Sequence, residues 1–207
     1  MRNRVASFLT LAALVLAGGA ASADPIGPSC GTCQGSIYTL QYGGSPISTT
    51  GTTETFRITL NIDTSGYNGG GSYLDIVAIK ASSSLIAATL FDAPGGAGTW
   101  TTWLGGVNAN GCSGSGSGFD CAAAWFIGLP VPDATLYQWT WDVEIPTGTL
   151  FTDPFEATIK ARYVDANHEK IGDLVSENIT LQVIPEPTSI ALLGAGLLAL
   201  AIARRRG

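Results

Sequence analysis

The chain has 207 residues, and its 27 glycines, four cysteines and one histidine already limit what it can do. Between residues 24 and 183, five lysines and arginines face fifteen aspartates and glutamates, a net charge of −10. That balance excludes nucleic acid as a partner, because a phosphate backbone demands basic surface.

In chain order, the first predicted element is an address rather than part of a fold. Arg2 and Arg4 give a basic start, residues 5–17 an apolar core, and residues 18–23 a run of small residues ending Ala21-Ser22-Ala23. This is the layout of a secretory signal peptide, so residues 1–23 are expected to be removed and the mature chain to begin at Asp24. The apolar core is shorter than the ~20 residues of a spanning helix.

Cys30-Gly-Thr-Cys33 follows near the mature N-terminus, and Cys112 and Cys121 lie further on. An even cysteine count in an exported chain points to disulfides. Three pairings are open, and the two local ones are favoured. A Cys112–Cys121 bond would close a Gly-Ser loop that is otherwise costly to order. A thioredoxin-like role for Cys30 and Cys33 would need the motif at a helix start after a strand, but here it precedes a strand. The spacing also departs from the paired knuckles of a zinc site.

From there the pattern has period two. In residues 54–62, Phe56, Ile58, Leu60 and Ile62 alternate with Thr55, Arg57, Thr59 and Asn61. In residues 136–145, Tyr137, Trp139, Trp141, Val143 and Ile145 alternate with Gln138, Thr140, Asp142 and Glu144. Residues 155–163 repeat it, with Phe155, Ala157, Ile159, Ala161 and Tyr163 opposed to Glu156, Thr158, Lys160 and Arg162. Each reads as a half-buried strand with its polar set in solvent. Further strands are predicted over residues 36–42, 73–81, 85–91, 99–104, 122–129 and 174–183. Clusters rich in glycine, proline, serine and asparagine separate them. Eight or nine strands at this spacing, with no amphipathic helix between them, predict an all-β fold: an antiparallel β-sandwich or jelly-roll-like domain over residues 24–183.

Catalytic chemistry finds little support. His168 lies in a predicted turn, whereas a hydrolase histidine must be held by packing and a partner. Asp142 and Glu144 share one strand face, about 7 Å apart at the ~3.3 Å rise per residue. They lack the partner on another strand that a glycosidase requires. Asp63 to Asn68 offers oxygen ligands without the spacing of a calcium loop. No catalytic residue, metal or cofactor is therefore expected. Of the tryptophans, Trp100 and Trp103 face opposite ways on one strand, so one of them could serve as a stacking platform for sugar rings. The others suit a core.

The chain closes with Pro185-Glu186-Pro187, an uncharged run over residues 190–203, and Arg204-Arg205-Arg206. The prolines disfavour helix, and Thr188 or Ser189 can cap one. Fourteen residues at ~1.5 Å each give ~21 Å, a marginal span. The arginines would remain cytoplasmic.

This ending resembles the PEP-CTERM sorting signal of exported Gram-negative proteins, on the strength of those three parts. The resemblance implies handling by an exosortase, a membrane-embedded cysteine protease. It also implies export across the inner membrane, transient anchoring by a single short C-terminal hydrophobic helix in residues 184–207, and delivery to the cell surface or an exopolysaccharide matrix. The motif residues are then a substrate's recognition signal. The reading that follows is a non-enzymatic surface or biofilm-matrix protein. A carbohydrate-binding module is the alternative, and an exported glycoside hydrolase is the weakest of the three.

Overall fold

The computed structural model describes residues 25–184, apart from 115, 117, 125–127, 134 and 152–156. The signal segment 1–23, Trp125, Phe155, Glu156 and the sorting tail from Pro185 onward, with its expected helix, lie outside the described residues. In chain order the strands are β1 (Ile37–Tyr42), β2 (Ser48–Thr49), β3 (Thr53–Asp63), β4 (Tyr73–Lys80), β5 (Ala87–Asp92), β6 (Thr101–Leu104) and β7 (Gly106–Asn108). There follow β8 (Gly111–Gly114), β9 (Phe119–Ala123), β10 (Leu129–Pro130), β11 (Leu136–Pro146), β12 (Ala157–Val164), β13 (Val175–Ile179) and β14 (Leu181–Val183). One 3-10 turn, Ala97–Thr99, is the only helical element among the described residues.

The strands form two six-stranded sheets and a small hairpin. The first sheet runs β14-β1-β3-β11-β5, with β2 added beside β3. The second runs β13-β12-β4-β9-β6, with β10 added beside β4. The hairpin pairs β7 with β8. Every pairing is antiparallel except β1 with β14, which is parallel, so the expectation of a purely antiparallel fold is corrected at this edge.

The period-two pattern explains the layering. Leu181, Leu40, Leu60 and Trp139 are register partners across four strands of the first sheet, and all four are buried. The next row holds Tyr42, Ile58 and Trp141, again buried. Val77, Ile79, Ala122, Ile159, Ala161, Tyr163 and Val175 of the second sheet belong to the same apolar cluster. The two sheets therefore face each other over one core, as in a β-sandwich. Each fully buried aliphatic side chain of such a core contributes about 1.5–3 kcal/mol. A polar bridge crosses it. The hydroxyls of Tyr38 and Tyr163 are 2.7 Å apart, and Ser36 Oγ lies 2.8 Å from Tyr163 Oη. Burial pushes the Tyr163 phenol up to about 12, so it stays protonated and can donate.

Two predicted strands are redrawn. Residues 122–129 are not one strand: β9 ends at Ala123, and the chain bends through Gly128 at φ +50° before β10. Residues 174–183 split between sheets. β13 pairs with β12 in the second sheet, and after Thr180 alone β14 pairs with β1 in the first. A strand that changes sheets at a bend makes a corner of the barrel-like edge.

Candidate functional site

Three places carry the sequence's functional candidates: the C-terminal exit of the domain, and the outer faces of the two sheets.

At the exit, β14 is the last strand and ends at Val183. The Ile184 amide still donates to the Tyr42 carbonyl at 2.8 Å, so the chain is held in the sheet up to the residue before Pro185. Gly44 makes room for this strand. Its φ is +80°, and a Cβ there would stand 2.7 Å from Val183 Cγ1. Pro185, Glu186, Pro187 and the three terminal arginines begin one residue later and lie outside the described residues.

The tryptophans divide by burial. Trp100 is 6% exposed, donates its indole N–H to the Pro94 carbonyl and meets Trp139 edge-on. It is a core residue, and its expected candidacy as a sugar-stacking platform is corrected accordingly. Trp103, opposite Cys121 on the edge strand β6, is 37% exposed. Trp139 and Trp141 are buried, as their alternation predicts.

Both local disulfides are present: Cys30–Cys33 with Cα atoms 5.2 Å apart and Cys112–Cys121 with Cα atoms 5.7 Å apart. The second ties β8 to β9 and holds the β7–β8 hairpin over the second sheet. Beneath it Ile76, Ala78, Val107, Phe119, Cys121 and Ala123 form a second apolar cluster.

The covered face conceals an ion pair. Arg162 donates through Nε to Asp75 Oδ1 at 3.0 Å and through Nη2 to Asp75 Oδ2 at 2.6 Å. Its Nη1 reaches the Ala109 carbonyl of the hairpin at 3.0 Å. Burial raises the Asp75 carboxyl above its ordinary value, and the guanidinium offsets part of that rise. The alternation of β12 assigns Arg162 to a solvated face, and the hairpin overturns this by covering that face.

On the first sheet the outer face is a polar lattice open to solvent. Asn61 donates to Thr39 Oγ1 at 3.2 Å and Gln41 Oε1 at 3.0 Å, and it accepts from Gln138 at 2.9 Å. Arg57 grips Asp142 through two bonds of 2.8 and 2.9 Å while its guanidinium lies 3.6 Å from the centroid of the exposed Phe91 ring. Asp142 is thus paired with a cation rather than with a second carboxylate. Glycoside hydrolysis needs the carboxylate pair.

One acid was not legible as special. Asp120 points inward from β9, opposite Ile79 on β4 and Leu104 on β6, and is buried. Burial raises its pKa to about 7, while the Cys121 backbone amide and the Trp141 indole pull it down. Its Oδ2 makes no hydrogen bond among the described residues. His168 sits in the β12–β13 turn at φ +64° with its ring stacked on Tyr73. Asp63 accepts from the Ser65 amide at 2.9 Å, an ordinary turn. Among the described residues no three histidines, cysteines or acids gather as a metal site.

The comparisons agree on the tail. The PEP-CTERM protein-sorting motif matches residues 183–206. The chain carries that motif, which marks an exported protein for sorting by an exosortase. No curated protein matches the chain. Among solved structures, the major pilin subunit of Bacillus cereus aligns with 72% of this chain at 13% identity and a TM-score of 0.27. The chain spans only 40% of that pilin's length. A likeness at that level carries no argument.

Proposed function

We propose that the protein is a non-enzymatic component of the cell surface or extracellular matrix, exported with loss of residues 1–23 and delivered by an exosortase. The observation that carries this reading is the position of the sorting motif, which starts at Val183, the last residue of the last strand. The globular domain is complete where the motif begins, so its two sheets survive removal of everything after Ile184. The tail anchors the chain in the membrane only until it is cut. Support for a non-catalytic role comes from the acids. The outer-face Asp142 is engaged by Arg57, Asp75 by Arg162, and Asp120 lies inside the core.

Intact-mass measurement on protein from the native host, with and without its exosortase, tests this. The expected species starts at Asp24, ends beyond Ile184 but short of the arginines, and has all four cysteines oxidised. The same mature C-terminus in both strains would overturn the reading.

A carbohydrate-binding module remains the second reading, favoured by the exposure of Trp103 beside the Cys112–Cys121 bond. Loss of binding on a glycan array in Trp103→Ala, with unchanged thermal unfolding, would support it.

A further inference from the structure

The hairpin covers only part of the second sheet. Beyond it, three neighbouring strands present a row of uncovered polar side chains. Lys80 on β4 stands opposite Thr158 on β12, and Thr158 stands opposite Asn178 on β13. One pair along, Lys160 stands opposite Ser176. Directly opposed residues in a sheet share a face, so these five side chains form one patch. Both ammonium groups gather on the ring of Phe119, 5.7 Å from its centroid for Lys80 and 4.8 Å for Lys160.

The charge pattern makes this patch unusual. The domain has five cations against fifteen acids. Arg57 and Arg162 are each engaged by an aspartate, and Lys170 donates to the Gly172 carbonyl in its own turn. Lys80 and Lys160 have no carboxylate within ion-pair distance among the described residues. In a protein this acidic, the two lysines without such a partner converge on one spot, a positive island in a negative field.

We propose that this strip binds an anionic polysaccharide, with the two lysines receiving its carboxylates and Thr158, Ser176 and Asn178 its hydroxyls. An ammonium is a compact point charge that suits a carboxylate without a fixed approach angle. Hydroxyl and amide groups beside it match the alternation of acid and hydroxyl along a uronate chain. A polyanion as dense as nucleic acid would need many more cations than two and would be repelled by the surrounding acids. The inference deepens the surface-matrix reading and rests on it only for the ligand being met outside the cell.

The test uses the protein recovered from its native host and calorimetric titration with polygalacturonate oligomers, neutral dextran, and vesicles containing phosphatidylglycerol. Binding to the polyuronate, none to dextran, and weakening between low and moderate salt are expected. Lys80→Gln with Lys160→Gln should weaken it about tenfold or more, the loss of two exposed charge contacts. Lys80→Arg with Lys160→Arg should retain it, which keeps the test decisive if the glutamine variant folds poorly. Lys170→Gln should leave it unchanged. Absence of polyuronate binding, an equal loss in Lys170→Gln, or a preference for the vesicles would overturn the proposal. An unprocessed chain that still binds the polyuronate would sink only the sorting reading, and a processed chain without affinity would sink only the strip.

Discussion

The two outer faces of the domain solve the same problem differently. Each carries one arginine–aspartate pair with two hydrogen bonds, and the pairs are close copies in geometry. Around Arg57 and Asp142 water remains, with side chains 39% and 24% exposed. Around Arg162 and Asp75 a disulfide-tied hairpin has closed, leaving 6% and 0%. Identical contacts therefore carry unequal stakes. An exposed pair competes with solvent and contributes up to about 1 kcal/mol. A buried pair has already lost its hydration, so removing one partner strands a charge.

The largest effect should come from the covered face. Arg162→Met leaves Asp75 buried and unpaired, and urea unfolding should show a loss of about 4 kcal/mol. Adding Asp75→Leu should restore most of it, since replacing both ions by apolar groups is often neutral. A loss below about 1 kcal/mol would mean that the hairpin opens readily, and the contrast between the faces would fail.

Asp120 sharpens the comparison, because it is buried with no cation at all. Its carboxyl titrates at about 7 in the folded protein against an ordinary 3.8. Between those values the folded state holds a proton that the unfolded state has released. Stability should therefore fall as pH rises from about 4 to about 7 and level off above. Three pH units correspond to about 4 kcal/mol at the limit. Asp120→Asn should flatten this slope in denaturation midpoints measured across pH, and an unchanged slope would place the titration elsewhere.

The smallest effect belongs to the open face. Arg57→Ala should cost at most about 1 kcal/mol, and less in high salt, where surface charges are screened. A loss as large as that of Arg162→Met would show that the Phe91 ring shields the pair from water.

Much of this was legible in the sequence. The alternation in β3 and β11 assigns Phe56 to Ile62 and Tyr137 to Ile145 to a buried face, and all of those apolar side chains are buried. The local disulfides followed from spacing and loop cost. What was hidden was long-range. Period two gives the side of the sheet on which Arg162 lies, but not that residues 106–114 return to cover that side. It also runs unbroken from Val175 to Val183, so nothing in the pattern reveals that the strand leaves one sheet for the other at Thr180. Asp120 was obscured for a related reason. A strand beginning at Phe119 rather than Ala122 turns it inward, and the glycine-rich stretch before it hides that start.

The change of sheet at Thr180 has a mechanical consequence. Traction on the tail enters the domain through β14 rather than through a slack loop, and the same run is fastened to β1 in one layer and to β12 in the other. Both layers share the load from the first residue, so a pull from the cell envelope is resisted by the whole domain and not by a frayed end.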